Sequence, residues 1–386
     1  MKTLCKVAFT EMLKIGLFPL RLLKIKSNRI LFTGLTGGDY NEYSCNPKYL
    51  CEYMMEHCPG EYEIIWAVSD KEKYAWLKEK GIRLVKHFSL SSFPWLMTAK
   101  VVVTNGSYAP WFPFRKDQYV INTWHGGGAY KKVNTDMQTA DWATRKMVHF
   151  CANNIRLFLS SCTLASERLF REGYHYQGEI LEIGMPRNDL LIQGKTEEMA
   201  RRVKEYYQIP REDHLILYAP TYRYGNEPVK LDADRVLKIL EEKGEKWHFL
   251  YRAHRFLDER TNLQVRGSKI IDASVYPDMQ ELLAASDWII TDYSSLIWDY
   301  SFLKRPCILY VPDAEEYMEK TGFYVDIHKW PYPMAKSEKE LEELLRDFDM
   351  EACQKAIAEH HKQMGMAETG HACELTVRRI AEVCGK

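Results

Sequence analysis

The sequence lacks an excess of charge of either sign, a CxxC pair, an HExxH motif and any run of about 18 apolar residues, and each absence removes a class of protein. Lys plus Arg and Asp plus Glu both number 53, so no field of one sign holds a nucleic acid along the surface. A phosphate-bearing ligand must instead be gripped by a local set of donors. Without a long apolar run no spanning helix is expected. The ten cysteines, Cys5, Cys45, Cys51, Cys58, Cys151, Cys162, Cys307, Cys353, Cys373 and Cys384, are scattered and no secretory leader precedes them. A reduced cytosolic protein is the expectation, with Cys151 and Cys307 acting as small hydrophobes inside apolar runs. No metal site is expected, and there is no internal repeat or low-complexity tract.

What is present is enough apolar residue, 46% of 386, to bury more than one core, and two domains fit that length. Between Met1 and Arg29 the basic residues Lys2, Lys6, Lys14, Arg21, Lys24, Lys26 and Arg29 face a single acid, Glu11, and alternate with Val7, Phe9, Met12, Leu13, Leu17, Phe18, Leu20, Leu22 and Leu23. This basic amphipathic segment reads either as a surface for an anionic membrane or as a terminal helix packed on the body. Pro19 interrupts it.

From Ile64 onward short apolar runs alternate with polar, helix-capable stretches. Strands are expected at 64–68, 83–85, 100–104, 119–124 and 147–152, with helices at 71–80 (closed by Gly81), 92–98 and near Asp141. The pattern restarts after a boundary near residue 190 and the charged helix 196–207, with strands at 214–219, 247–252, 270–272, 288–291 and 306–311 and helices at 234–242, 279–285, 338–348 and 374–383. Gly365 and Gly370 mark a return loop. This rhythm is that of an α/β protein with parallel sheets. The expectation is two Rossmann-like domains facing across a cleft, with ligands beyond the carboxyl ends of the strands. The segments are 1–30 (basic), 31–190 and 191–386, the C-terminal helices being free to cross back.

Three constellations carry chemistry. A strand delivers Trp124 and His125 to a turn of Gly126, Gly127 and Gly128, where the backbone can approach a substrate and an imidazole can accept a hydroxyl proton; a structural histidine is the other reading. Arg252 and His254 share strand parity and face one phosphate if the strand extends that far, or else form a basic strand end. Thr291, Asp292, Ser294 and Ser295, with Asp299, open a helix whose amides cradle phosphate oxygens, or simply cap it. Asp292 would repel a diphosphate and is better placed to hold a neighbouring donor. Arg223 follows the strand at 214–219, and Arg187, Asn188 and Asp189 lie at the domain boundary.

The order and spacing of Asn46-Pro47 through Tyr49, Trp124-His125-Gly126, Gly184-Met185-Pro186-Arg187-Asn188-Asp189, Ala219-Pro220-Thr221-Tyr222-Arg223, Arg252-Ala253-His254, Tyr276-Pro277-Asp278 and Thr291-Asp292-Tyr293-Ser294-Ser295 resemble the CDP-glycerol glycerophosphotransferase family of teichoic-acid and capsule enzymes. The resemblance implies a GT-B fold, an acceptor-side domain 31–190 and a donor-binding domain 191–386. It also implies transfer of glycerol phosphate from CDP-glycerol, with release of CMP, to a glycerol-phosphate, polyol-phosphate or glycan acceptor that can be lipid-linked. His125 and His254 match the family's catalytic histidines. Arg223, Arg252, Thr291, Asp292, Ser294, Ser295 and Asp299 fall on the donor side; Trp124, Gly126, Gly127, Asn188 and Asp189 are acceptor-side or structural. CDP-glycerol is a substrate and no cofactor is required. Members work peripherally at the inner, cytoplasmic face of the membrane. Gly127-Gly128-Ala129-Tyr130 replaces the commoner Thr-Pro-Leu after the first glycine. A CDP-ribitol or nucleotide-sugar donor, or a noncatalytic polymer-binding protein, are the alternatives; oligomeric state is not legible.

Overall fold

The computed structural model describes residues 2–34, 43–87, 89–106, 112–137, 140–221, 230–242, 244–253 and 265–386, with backbone only for 2–8 and 10. Two compact units result: residues 1–189 together with 366–386, and residues 190–365.

The first unit is built on seven parallel strands, β1 (Lys26–Thr33), β2 (Glu63–Val68), β3 (Arg83–Lys86), β4 (Ala99–Thr104), β5 (Tyr119–Asn122), β6 (Leu157–Ser160) and β7 (Glu179–Glu182), in the order β3-β2-β1-β4-β5-β6-β7. The central strands are buried on both faces, Ile30 to Phe32 and Val101 to Val103 all being 0–1% exposed. This is why they read as continuous apolar runs and not as alternations.

The second unit holds β8 (His214–Tyr218), β9 (Leu231–Asp232), β10 (Trp247–Tyr251), β11 (Val265–Arg266), β12 (Ile270–Asp272), β13 (Trp288–Thr291), β14 (Cys307–Tyr310) and β15 (Met334–Ala335). Six of these form a parallel sheet ordered β12-β10-β8-β13-β14-β15, and β9 pairs with β11. Its core joins Ile216, Phe249, Ile290 and Ile308 to Val236, Leu237 and Leu240 of the helix Ala233–Glu241. Both sheets therefore step outward from a first strand and then reverse to its other side, β1 to β4 and β8 to β13. A reversal of this kind opens a crevice at the carboxyl ends of the two inner strands.

Several elements differ from the sequence expectations. Residues 147–152 are not a strand but part of the helix Trp142–Asn154: the Asp141 carboxylate caps it by accepting the Thr144 N–H at 2.8 Å, and Val148, Cys151 and Ala152, at helical spacing, are its buried face. The strand of this region is β6. Residues 71–80 form only a short 3-10 helix, Ala75–Lys78. Asp70 accepts the Glu72 and Lys73 N–H groups, and the buried Tyr74 and Leu77 stand three apart, the repeat of the tighter helix. The central strand β1 and the helix Met350–Met364 were not anticipated. The first begins with four polar residues; the second presents only Cys353, Ile357, His360 and Met364 to the core from a mostly polar sequence.

The N-terminal segment is the helix Lys2–Leu17 followed by a 3-10 turn, Phe18–Leu22, with Pro19 in its first turn. Phe9, Met12, Ile15, Phe18 and Leu22 are all more than half exposed, while the Lys14 ammonium lies 3.6 Å from the centroid of the Phe150 ring. Among the described residues no helix is long and apolar enough to cross a membrane.

Candidate active site

In the first unit β5 ends at Asn122 and the chain turns sharply. Trp124 adopts φ +55°, a left-handed conformation rare for a bulky side chain. Its N–H, its carbonyl and its ring are each held. Its N–H donates to Asn122 Oδ1 at 2.8 Å, its carbonyl accepts from Asn46 Nδ2 at 2.8 Å, and its ring packs edge-on against Phe170 and Tyr174. Phe170 lies in a π-helical turn, Ser166–Gly173, whose wider winding carries Tyr174 to the same ring.

The turn presents His125 to solvent. The ring leans on the Trp124 ring, with centroids 4.4 Å apart, and its Nδ1 meets the carbonyl oxygen of Asn105 at 2.7 Å. A carbonyl can only accept, so Nδ1 carries the hydrogen, and in the neutral ring Nε2 is the basic nitrogen. Beyond the turn, Gly128 takes φ +66° and donates its N–H to Ser161 Oγ at 3.0 Å. Gly127 is buried and Gly126 half-buried.

Residues distant in sequence complete this corner. Arg187, 7% exposed, donates from Nη1 to the His125 carbonyl at 2.6 Å and to Cys45 Sγ at 3.1 Å. Glu368 accepts from the Met185 N–H at 2.9 Å and from Asn188 Nδ2 at 3.0 Å. Asp189 accepts the N–H groups of Ala372 and Cys373, the first residues of the helix Ala372–Cys384, at 2.9 and 2.7 Å. Burial raises the Asp189 carboxyl above its ordinary range against the lowering effect of those bonds. Asn188 and Asp189 thus serve as struts that tie the 366–373 segment to the turn beside Arg187.

In the second unit the reversal point is occupied as the topology requires. Asp292 follows β13 and Thr221 follows β8; the carboxylate accepts the Thr221 N–H at 3.0 Å from each oxygen and also the Thr221 hydroxyl. Asp292 is 1% exposed, so its charge is turned inward onto this donor pair. Thr291 Oγ1 donates to the Ala219 carbonyl at 2.7 Å, closing the same seam. Ser294 and Ser295 are half-buried at the start of the helix Leu296–Ser301, and Ser294 Oγ accepts the Leu296 N–H at 3.2 Å. Asp299 is buried within that helix, 2% exposed. Arg252 follows β10, and its Nη1 donates to the carbonyls of Ala273 and Tyr276 at 3.1 and 2.8 Å. His254 and Arg223 lie outside the described residues. Among the described residues no group of three or more His, Cys, Asp or Glu side chains is placed to hold a metal ion.

Sequence reasoning missed the Asn105 carbonyl, Asn46 as a partner of the His125 turn, and Glu368. The signal for the last was Gly184: at φ +89°, a Cβ there would stand 3.0 Å from the Glu368 Cα, so the glycine marks a close approach.

Two parallel sheets of Rossmann order, each with polar side chains at the carboxyl ends of its strands, define a protein of the GT-B-like α/β class. The family model described as CDP-Glycerol:Poly(glycerophosphate) glycerophosphotransferase matches residues 17–382, and the chain belongs to that family. It is 29% identical to a teichoic acid poly(glycerol phosphate) polymerase of Bacillus spizizenii (strain ATCC 23059 / NRRL B-14472 / W23) over 372 residues, 93% of each chain. It is 32% identical to the corresponding polymerase of Bacillus subtilis (strain 168) over 336 residues, 84% of this chain but 44% of that protein's length. The solved wall teichoic acid polymerase TagF shares the fold, with TM-score 0.82 and 24% identity over 100% of this chain and 96% of that one.

Proposed function

We propose that this chain transfers glycerol phosphate from CDP-glycerol to a hydroxyl of a teichoic-acid-like or capsular polymer, or of its lipid-linked precursor, and releases CMP. The observation that carries the reading is the fixed tautomer of His125, an exposed imidazole whose Nδ1–H is committed to Asn105. In the reaction the acceptor oxygen attacks the glycerol-bearing phosphorus, its proton passes to His125 Nε2, and the bond from that phosphorus to the bridging oxygen breaks as CMP departs. Little covalent work falls to the protein, so positioning and charge stabilisation dominate.

Donor binding is assigned to the second unit, at the reversal between β8 and β13. There the Asp292 carboxylate is turned onto the Thr221 N–H and hydroxyl, and the half-buried Ser294 and Ser295 offer hydroxyls to a diphosphate. The role of Arg252 is to brace the loop after β12 through the two carbonyls it holds, and to bring positive charge to the same strand ends. His254 and Arg223 are proposed as further cationic partners of the diphosphate on the strength of the resemblance alone. The choice of donor is supported by relatives that are poly(glycerol phosphate) polymerases, at 32% and 29% identity, against 25% for a poly(ribitol-phosphate) polymerase of similar coverage, and by a TagF variant soaked with CDPG.

The exposed apolar side chains of the N-terminal helix, among basic residues, fit an anionic membrane surface at which a lipid-linked acceptor would be met. The test is incubation with CDP-glycerol, CDP-ribitol and UDP-sugars and a glycerol-phosphate-primed acceptor, with released nucleotide resolved by chromatography. CMP from CDP-glycerol is expected. CMP from CDP-ribitol alone assigns the ribitol donor, UDP from a UDP-sugar assigns glycosyl transfer, and polymer binding with no nucleotide released defeats the enzymatic reading.

A further inference from the structure

Asn46 is 0% exposed and sits at the start of the helix Cys45–His57, remote in sequence from the His125 turn. Its carboxamide is spent entirely on that turn and its neighbour. Nδ2 donates to the carbonyls of Thr123 and Trp124, at 3.1 and 2.8 Å, and Oδ1 accepts the Arg187 N–H at 3.1 Å. The Trp124 carbonyl belongs to the peptide that enters His125. The peptide that leaves His125 is gripped on its carbonyl by Arg187 Nη1. The backbone on both sides of the histidine is therefore clamped, and the two clamps are joined through the Asn46 to Arg187 hydrogen bond.

The clamp has work to do. A left-handed conformation costs an L-residue roughly 1–2 kcal/mol, and Trp124 holds it at φ +55°. A strained turn persists only where its surroundings over-determine it. Without the Asn46 donors the Trp124 carbonyl keeps only the longer bond from Thr123 Oγ1, at 3.2 Å, too little to hold a strained turn, and rotation of that peptide carries the His125 Cα with it. The Nδ1 bond to Asn105, which sets the tautomer, is then lost.

We propose that Asn46 is a positioning residue for His125, fixing the entering peptide directly and the leaving peptide through Arg187, so that Nε2 stays the basic nitrogen and stays aimed. The inference rests on the reading of His125 as the proton acceptor.

The test is Asn46→Asp, which keeps the shape and the Oδ1 acceptor but sets a carboxylate oxygen against two carbonyls, with Asn46→Ala as the second variant. The expected result for folded enzyme is a 10- to 100-fold fall in kcat with CDP-glycerol KM within twofold of wild type. Nitrogen-15 NMR of the His125 ring should show a single Nδ1–H tautomer in the wild type and a mixture in either variant. A lowered Tm with kcat and the ring signature unchanged overturns the proposal, leaving Asn46 as a structural residue. His125→Ala separates the two claims: full turnover in that variant removes the proton-acceptor reading, whereas the ring signature of Asn46→Asp tests the clamp with no reaction assigned.

Discussion

Gly184→Ala perturbs the joint between the Met185–Asn188 turn and the 366–373 segment at one atom. Gly184 adopts φ +89°, and the added Cβ would meet the Glu368 carboxylate and stand 3.0 Å from its Cα. The conformational cost is roughly 1–2 kcal/mol. Glu368 cannot retreat without surrendering the Met185 N–H or the Asn188 amide, both buried, and a buried donor left unsatisfied costs about 1–3 kcal/mol. The sum, about 2–5 kcal/mol, is a large share of the roughly 5–15 kcal/mol that holds a domain folded. In a unit of about 200 residues it lowers Tm by roughly 4–20 °C. Gly81→Ala is the control: φ is +80° in the same unit, but nothing lies within 4 Å of the new Cβ, so only the conformational cost applies. Calorimetry of the two variants beside wild type isolates the clash. Equal Tm losses for both would refute the claim that Glu368 fills the space Gly184 leaves.

Asp292→Ala strands the Thr221 N–H at the β8 and β13 reversal; CDP-glycerol KM should rise at least tenfold with the first unit's melting unchanged, and an unaltered KM would remove this seam from the donor site. Burial holds His360 and His361 near pKa 4, against about 6.5 in an unfolded chain. As pH falls below about 6.5 the unfolded state takes up protons first, so stability is fully present above that pH and is lost progressively down to about 4. His361→Gln, which keeps a partner for Ser301 Oγ, should flatten the slope of Tm across that window; an identical slope contradicts the assignment. Ile15→Asp with Leu22→Asp, at side chains 76% and 90% exposed, should weaken sedimentation with anionic vesicles several-fold while leaving Tm within 1–2 °C, since surface changes cost little. Unchanged sedimentation would place the membrane contact elsewhere.

The parallel-sheet architecture was legible because strands buried on both faces leave uninterrupted apolar runs, as at Val101–Val103 and Ile289–Ile290. Where a run was shorter than a helix and flanked by polar residues, period was ambiguous. Met147–Ala152 reads as a strand until Asp141 is recognised as the cap that starts a helix ahead of it. The His125 turn was legible as a histidine among glycines at a strand end, and Asp292 as a carboxylate better suited to hold a donor than to face a diphosphate. The supports were not. Asn46, Arg187 and Glu368 act on neighbours 77, 62 and 183 positions away, and no local pattern encodes such a partner. Only Gly184, a glycine that must be one, left a trace in the sequence of the carboxylate it accommodates.

The most direct measurement is single-turnover CMP release, with enzyme in excess over CDP-glycerol and acceptor saturating, for wild type and His125→Ala, alongside CDP-glycerol affinity by calorimetry. Loss of a general base predicts a rate reduced by roughly 10²–10⁴, and the proposed donor site in the second unit predicts a donor dissociation constant unchanged within twofold. A His125→Ala enzyme that releases CMP at the wild-type rate would contradict the account.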